Sequence, residues 1–345
     1  MTLLIEKNVS LLGYNSLALE AIAEHFCVVK SVDDIQQAIA FARDQRLTII
    51  VLGAGSNVVL RHHLAGLVVH VQITGVQFER IEHDVLLHIG AGENWSSMVE
   101  YCLKNNWFGI ENLILIPGNV GAAPVQNIGA YGVELSDSFV SLEAIDIATG
   151  KVHVMQRDHC EFGYRDSVFK NSARDKYIIT RLCLKLSLKP NMVWHYPALK
   201  AALEAKTAVS EAPLTPHVIA ASVTEIRRQK LPDPKVLPNA GSFFKNPVIT
   251  REVAERLLIG HPNLPVYENE SGECKVPAGW LIEQCGYKGL RQGSVGVHPL
   301  QALVLVNYGG DNAAELLAFS ETIKVEVEQT FGIHLELEPT VYGSF

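Results

Sequence analysis

Thr48-Ile49-Ile50-Val51-Leu52-Gly53-Ala54-Gly55-Ser56-Asn57-Val58 reads as a β-branched strand stopped by a Gly-x-Gly turn. Such a turn after a strand is the opening of a dinucleotide-binding fingerprint, because glycine lets backbone approach a pyrophosphate. The third glycine is missing: Val58 stands in its place, and Val59 and Leu60 continue as strand. Gly90-Ala91-Gly92 repeats the same incomplete pattern after Val85–Ile89. A Rossmann fold is therefore rejected. Two local readings remain, a pair of tight turns or an anion-binding nest of backbone N–H groups helped by Ser56 and Asn57.

Around this segment strand and helix signals alternate. Ser31 reads as the N-cap of a helix carrying Ile35, Ala38, Ile39 and Ala42 on one face. Asn94 caps another, with Trp95, Met98, Val99, Cys102 and Leu103 as a core-facing stripe. Strands are expected at Val68–Val71, Leu142–Ile147 and Tyr177–Leu186, with Thr149-Gly150 a hairpin turn. Residues 190–216 are weakly patterned and are expected to cross between domains. Ser222-Val223-Thr224-Glu225 reads as a capping box opening a short helix that stops at Leu231-Pro232. Thr250 and Asn312 are expected to cap two later helices, the second ending before Gly332, and His334–Glu338 alternates as a final strand. The fold class is α+β, in about three pieces.

Two stretches carry the polar chemistry. From 107 to 135 the chain becomes Gly/Pro/Asn-rich and is expected to form one long structureless loop, a length usually associated with function. Within it Gly118, Gly121, Ala122, Ala123 and Gly129 remove side-chain bulk, and Gln126, Asn127 and Tyr131 supply polar groups. An ordered Ω-loop is the plain alternative to a cofactor loop. The second stretch runs from Arg227 to Asn246, where Arg227, Arg228, Lys230, Lys235 and Lys245 face a single acid, Asp233. Prolines stiffen it, so it reads either as a solvated loop or as a site for a diphosphate or carboxylate. Phe162-Gly163-Tyr164-Arg165-Asp166-Ser167 is a third polar cluster, in which Arg165 and Asp166 alone would make a structural ion pair.

Composition sets the outer limits. The 345 residues carry a formal charge of −8, with 48 % hydrophobic and 19 % charged residues. That balance is globular, and the acidity with no dense Lys/Arg block argues against nucleic acid as a partner. Apolar runs such as Ala302–Val306 fall far short of the roughly 20 residues of a membrane span, so no membrane partner is expected. Glu6 interrupts any signal-like start, and the six cysteines are scattered without a C-x-x-C pair. Reduced thiols in a cytoplasmic protein are expected, with no metal site. No G-x-S-x-G, Walker A or H-E-x-x-H pattern occurs, so Ser242 is not read as a hydrolase nucleophile.

Taken together, Leu52–Val58, Gly90–Trp95, Glu111–Glu134, Phe162–Phe169, Lys230–Pro247, Ala278–Lys288, His298–Asn307 and the Glu-rich C-terminal strand resemble the UDP-N-acetylenolpyruvoylglucosamine reductases, the MurB family. The matches run in family order over nearly the whole chain. Trp194-His195-Tyr196-Pro197 looks like the tyrosine loop of the longer, type I members. The resemblance implies an α+β flavoprotein: a two-part FAD-binding region of the vanillyl-alcohol-oxidase (PCMH) type plus a C-terminal α+β substrate domain. The implied boundaries are 1–72 and 73–220 for the FAD-binding parts, the tyrosine loop near 190–200 included. Residues 221–332 would form the substrate domain, with 333–345 returning to the first part. FAD would be contacted by Gly53, Gly55, Ser56, Asn57, Val58, Pro117, Gly118, Gly121, Ala122, Ala123, Gln126, Asn127, Gly129, Ala130, Tyr131 and Ile179.

The implied reaction is reduction of an enolpyruvyl ether on a nucleotide sugar, with FAD bound, NADPH as co-substrate and a monomer as the working unit. Arg165 would stabilise the developing enolate-like charge, Ser242 would donate the proton, and a C-terminal glutamate would assist. Here the sequence departs from the family's usual L-E-P-E-V, reading Leu335-Glu336-Leu337-Glu338-Pro339-Thr340-Val341. Alignment from Phe331 selects Glu338, although Glu336 shares its strand face by period two. Tyr196, Lys230, Asn246, Lys288 and Gln301 match substrate-contact positions, and Arg227 joins them by charge count alone. Two competing readings are a flavin-dependent alcohol or lactone oxidase, whose neutral substrate needs no cation island, and a silent nucleotide-sugar-binding protein, which has no use for Arg165, Ser242 and Glu338 together.

Overall fold

The computed structural model describes residues 2–207, 213–269 and 271–344. The chain divides into two compact units, each with its own hydrophobic core. The first comprises Met1–Val9, Ala23–Gly55 and Ala65–Arg228; the second comprises Ser10–Ile22, Ser56–Leu64 and Gln229–Phe345. The boundary falls inside the Gly-x-Gly turn, so Gly53 and Gly55 belong to one unit and Ser56, Asn57 and Val58 to the other.

The first unit holds two larger sheets. One has the strand order Glu6–Ser10, Ile22–Val29, His63–Val71, Ile49–Leu52. Its last pair is parallel, with Leu52 opposite His70. The other is a five-stranded antiparallel sheet ordered Val152–Gln156, Phe139–Asp146, Tyr177–Ser187, Asp84–Gly90, Val76–Ile81. The expected caps are in place: Ser31 accepts from the Asp34 amide and opens Val32–Gln45, and Asn94 accepts from the Ser97 amide and opens Trp95–Lys104. The whole Trp95–Leu103 stripe is buried, and the Trp95 indole donates to the Leu113 carbonyl at 3.0 Å.

The second unit is built from short strands. Asn239–Ser242, Val304–Asn307, Val295–Val297 and Arg291–Gln292 form one sheet, covered by the 19-residue helix Ala313–Phe331. Asn312 caps that helix and Gly332 ends it in the left-handed region at φ 66°. Thr250 caps Arg251–Gly260 as expected.

Four expectations change. The 107–135 segment is ordered: it contains the 3-10 turns Glu111–Leu113 and Val120–Gln126 and a small hairpin pairing Gly129–Ala130 with Val133–Glu134. Ser222 caps nothing. The helix runs Pro216–Lys230, with Thr215 Oγ1 accepting from the Val218 amide and Pro216 at the first position, where its missing N–H costs nothing. Ser222 is fully buried mid-helix and accepts from Lys206 Nζ at 3.1 Å. The 190–216 stretch stays within the first unit and includes the helix Pro197–Thr207; residues 208–212 of it lie outside the described residues. At the C-terminus the burial alternation expected of 334–338 holds only through Glu336, with Leu335 fully buried between exposed His334 and Glu336 and with Leu337 and Glu338 both half-buried. Only Leu337 makes a bridge there, with Phe244, and the true strand is Thr340–Tyr342, after Pro339, parallel to Val58–Leu60.

All six cysteines are free thiols, five of them buried. Burial pushes Cys27, Cys102 and Cys160 up to about 12, which removes their thiolate character at neutral pH. Among the described residues no helix is long and apolar enough to cross a membrane, and no cluster of three or more His, Cys, Asp or Glu could hold a metal.

His70 and His298 are 8 % and 9 % exposed, and burial holds both below the ordinary 6.5. A depressed histidine pKa favours the neutral folded form, so the stability it contributes is complete above 6.5 and is lost as pH falls toward the folded value. Thermal melting between pH 8 and 5 is expected to give a plateau down to about 6.5 and a decline below it. A melting temperature that rises on acidification through this range would contradict the assignment.

Candidate functional site

In the first unit the Gly53–Gly55 and Gly90–Gly92 turns converge on one loop. The Trp95 amide donates to Gly118 O at 3.0 Å, Val120 N to Glu93 O at 2.8 Å, and Gly121 N to Ala91 O at 2.9 Å. This backbone-on-backbone approach is possible because Gly121 has no side chain: a Cβ there would lie 2.5 Å from Ala91 Cβ. Gly118 sits at φ 119°, open only to glycine. Asn119 joins the turns, its Nδ2 donating to Gly92 O at 2.5 Å while Oδ1 lies 3.3 Å from where a Gly53 Cβ would be. Asn119 Oδ1 is buried with no hydrogen-bond partner. A buried amide oxygen left so is costly, about 1–3 kcal/mol, unless a ligand donates to it. This unmatched acceptor beside the Gly53–Gly55 turn fits a hydroxyl of a polyhydroxylated dinucleotide such as FAD.

The same loop then builds a cationic, aromatic corner. Asn127, expected to offer its amide to a ligand, is 1 % exposed and staples the loop instead. It donates to Glu134 Oε2 and Gly163 O at 2.7 and 3.1 Å and accepts from the Ser136 amide. Ser167, fully buried, donates to Val125 O at 2.6 Å. Arg165 sits at φ 52°, in the turn bridged by Gly163 and Asp166, and its Nη2 donates to Gly129 O at 2.5 Å. A Cβ on Gly129 would stand 3.0 Å from Arg165 Nη1, so glycine is what lets the guanidinium in. Asp166 accepts from Asn171 Nδ2.

Tyr131 is also left-handed, at φ 50°, with its ring edge-on to Tyr196 at 5.4 Å. Burial pushes its phenol up, and the nearby Arg227 charge acts against that. Arg227 donates to Leu115 O at 3.2 Å, and its Nε is buried without an acceptor. Burial lowers its guanidinium pKa, Tyr131 opposes, and Arg165 lowers it further. Two guanidiniums near each other, one with an unmatched buried N–H, make a site that calls for an anion. The charge count grouped Arg227 with the 230–246 lysines; the structure turns it toward Arg165 and Tyr131 in the first unit. Ile179, expected beside the cofactor, is a buried strand residue opposite Ala144.

The second unit carries the candidates Ser242, Asn246, Lys288, Gln301 and Glu338, of which Glu338 is brought next to the Ser242 segment. Asn239 is 3 % exposed and pins the proline-rich loop, donating to Pro232 O and Leu237 O and accepting from the Gly241 amide. Phe243 and Phe244 are buried and anchor the segment. The Glu338 amide donates to Phe243 O at 3.0 Å, which brings Glu338 to within one residue of Ser242. Asn57 lies alongside: its carbonyl accepts from Thr340 N, and Val58 pairs with Thr340. Glu336 is directed elsewhere, 67 % exposed and ion-paired with Lys245 at 3.1 Å. The two glutamates share a strand parity and differ in partner: the Glu338 amide meets Phe243 O, and the Glu336 carbonyl accepts from the Lys245 amide. Asn246 Oδ1 accepts from the Ala278 amide, ordering the start of Ala278–Gln284. Lys230 is exposed, Lys288 is paired with Glu283 at 2.8 Å, and Gln301 accepts from the Leu303 amide.

Residues 233–342 match the profile of the UDP-N-acetylenolpyruvoylglucosamine reductase C-terminal domain, and residues 23–156 match an FAD binding domain. A UDP-N-acetylenolpyruvoylglucosamine reductase from Chromobacterium violaceum is 41 % identical over 99 % of this chain and 100 % of its own length. One from Pseudomonas aeruginosa is 42 % identical with the same coverage. This chain belongs to the UDP-N-acetylenolpyruvoylglucosamine reductase family. The crystal structure of the reductase from Thermus caldophilus shares the fold, with a TM-score of 0.68 over 99 % of this chain at 23 % identity.

Within this reductase the sequence singled out the loop but not Asn119 or Asn112, whose partners are remote in the chain. Their only signal was an asparagine set among glycines or apolar residues that are otherwise buried. The exposure of Lys245–Glu336 yields a direct test, since exposed pairs contribute about 0–1 kcal/mol. Glu336→Gln is expected to leave the melting temperature within about 2 °C and turnover within twofold. A large loss of turnover in that variant would transfer the expected carboxylate role from Glu338 to Glu336.

Proposed function

We propose that this protein is a monomeric cytoplasmic enzyme that reduces the enolpyruvyl group of a UDP-linked N-acetylglucosamine enolpyruvate to the lactyl ether of UDP-N-acetylmuramate. Electrons come from NADPH by way of FAD, and the product serves peptidoglycan synthesis. The observation that carries this reading is the pairing of Glu338 with the Phe243 carbonyl beside Ser242, in a family member whose other unit carries an Arg165–Arg227 corner. FAD would be held by the Gly53–Gly55 turn, Asn119 and the 117–131 loop. When bound it supplies a hydride to the vinyl carbon.

The remaining work belongs to side chains. Arg165 is a fixed cation for the negative charge that develops at the neighbouring carbon and carboxylate, and a preorganised donor of this kind is worth about 3–4 kcal/mol. The Ser242 hydroxyl delivers a proton to that carbon and regains one from solvent, while Glu338 orients the group or relays the proton. Tyr196, Arg227, Lys230 and Asn246 bind the nucleotide sugar, its diphosphate being the natural counter-charge to the cations. Lys288 and Gln301 are assigned to the same substrate at its edge.

The purified protein is expected to be yellow, to bleach with NADPH, and to reoxidise on adding the enolpyruvyl nucleotide sugar. Ser242→Ala is expected to keep flavin reduction within about twofold while turnover falls by about 10³ or more. Glu338→Gln should behave similarly with a smaller loss. Stopped-flow absorbance separates the two half-reactions; a colourless protein that takes up no FAD, or undiminished turnover in Ser242→Ala, would overturn the reading.

A further inference from the structure

We propose that Asn112 is a positioning residue: by donating both protons of its side-chain amide it holds the Tyr196-bearing segment on the Tyr131 turn, and so sets affinity for the nucleotide sugar. The role at the substrate rests on the function proposed above; the latch itself does not.

Asn112 lies in the one-turn helix Glu111–Leu113 and is 1 % exposed. Its Nδ2 donates to Tyr131 O at 2.9 Å and to Val193 O at 2.8 Å, residues 19 and 81 positions away. The chemistry fixes the orientation, because two carbonyl oxygens can be met only by the NH₂ end of an amide. No backbone hydrogen bond between the two segments is needed; one side chain joins them.

Both carbonyls belong to places that need holding. Tyr131 is a non-glycine residue in the left-handed region, a conformation that persists only where surroundings enforce it. Its neighbour Gly132, at φ 87°, leaves room for the Val193 side chain, since a Cβ there would come within 3.2 Å of Val193 Cγ1. Three residues beyond Val193, Tyr196 gives its carbonyl to the Lys200 amide at 2.8 Å, the first turn of Pro197–Thr207. That helix is anchored by the buried Leu199 and Leu203, and by Lys206 to Glu225 at 2.9 Å. Residues 193–196 are therefore fixed at both ends, by Asn112 and by the helix. The Tyr196 ring, 47 % exposed, is left edge-on to Tyr131.

Asn112→Asp keeps the shape and turns two donated hydrogen bonds into contacts between oxygens, with each lost bond worth about three- to tenfold in the local equilibrium. The flavin-loaded variant is expected to raise the KM for the enolpyruvyl nucleotide sugar about tenfold or more while NADPH still reduces the flavin within about twofold. Hydrogen exchange at amides 191–196 should accelerate at least tenfold, with the sheet strands unchanged. Asn112→Ser, uncharged and with one donor, should show the same pattern at smaller size and serves if the aspartate variant does not fold.

Unchanged exchange at 191–196 overturns the proposal. So does a loss spread evenly over the chain together with FAD affinity, which is what a purely structural residue would give. If the unsubstituted protein does not turn over the nucleotide sugar but Asn112→Asp still frees 191–196, the functional reading falls and the latch stands.

Discussion

In the first unit the glycine-rich loop is seated by the contact between Gly121 and Ala91. Two backbone segments approach so closely that one methyl group on Gly121 would sit 2.5 Å from the Ala91 methyl. Three backbone hydrogen bonds close the seam, and everything downstream in the loop takes its position from it. Asn119 is set between the Gly53 and Gly92 turns, Asn127 is set under the hairpin, and Gly129 is set where Arg165 can reach its carbonyl. The small residues are therefore required for packing in their own right.

The second unit reaches the same end by different means. Its strands are short, and Ser242 is located by buried aromatics and by side-chain hydrogen bonds from Asn239. The C-terminal segment then lies along Phe243–Lys245, adding Glu338 at one step and discharging Lys245 through Glu336 at another. The positive island in an acidic chain is thus partly neutralised, while Arg165 and Arg227 in the first unit are half-buried and donate to backbone carbonyls.

Much of this was legible in the sequence where the signal is local. Ser31, Asn94, Thr250 and Asn312 each announced a helix because an N-cap and its partner amide lie within three residues. The failed dinucleotide fingerprint correctly excluded a Rossmann domain, since Val58 opens a strand. Ser222 misled because a Ser-x-x-Glu spacing also occurs inside helices, and Pro216 was the stronger start signal. Asn127 looked like a group offered to a ligand, and nothing local shows that its partners are Glu134, Ser136 and Gly163. The partners of Asn119 and Asn112 lie 27 and 81 residues away, beyond any periodicity. Glu336 and Glu338 share a parity, so periodicity gives no hint that one meets Lys245 and the other Phe243.

The Gly121–Ala91 approach shapes the cradle proposed for FAD, and FAD affinity measures it most directly. Gly121→Ala overpacks the seam at a cost of about 1–3 kcal/mol. Flavin fluorescence titration is expected to show the FAD dissociation constant rising about tenfold or more, with much of the loss recovered when Ala91→Gly is added in the same chain. A Gly121→Ala protein that binds FAD as tightly as the unsubstituted chain would contradict the account.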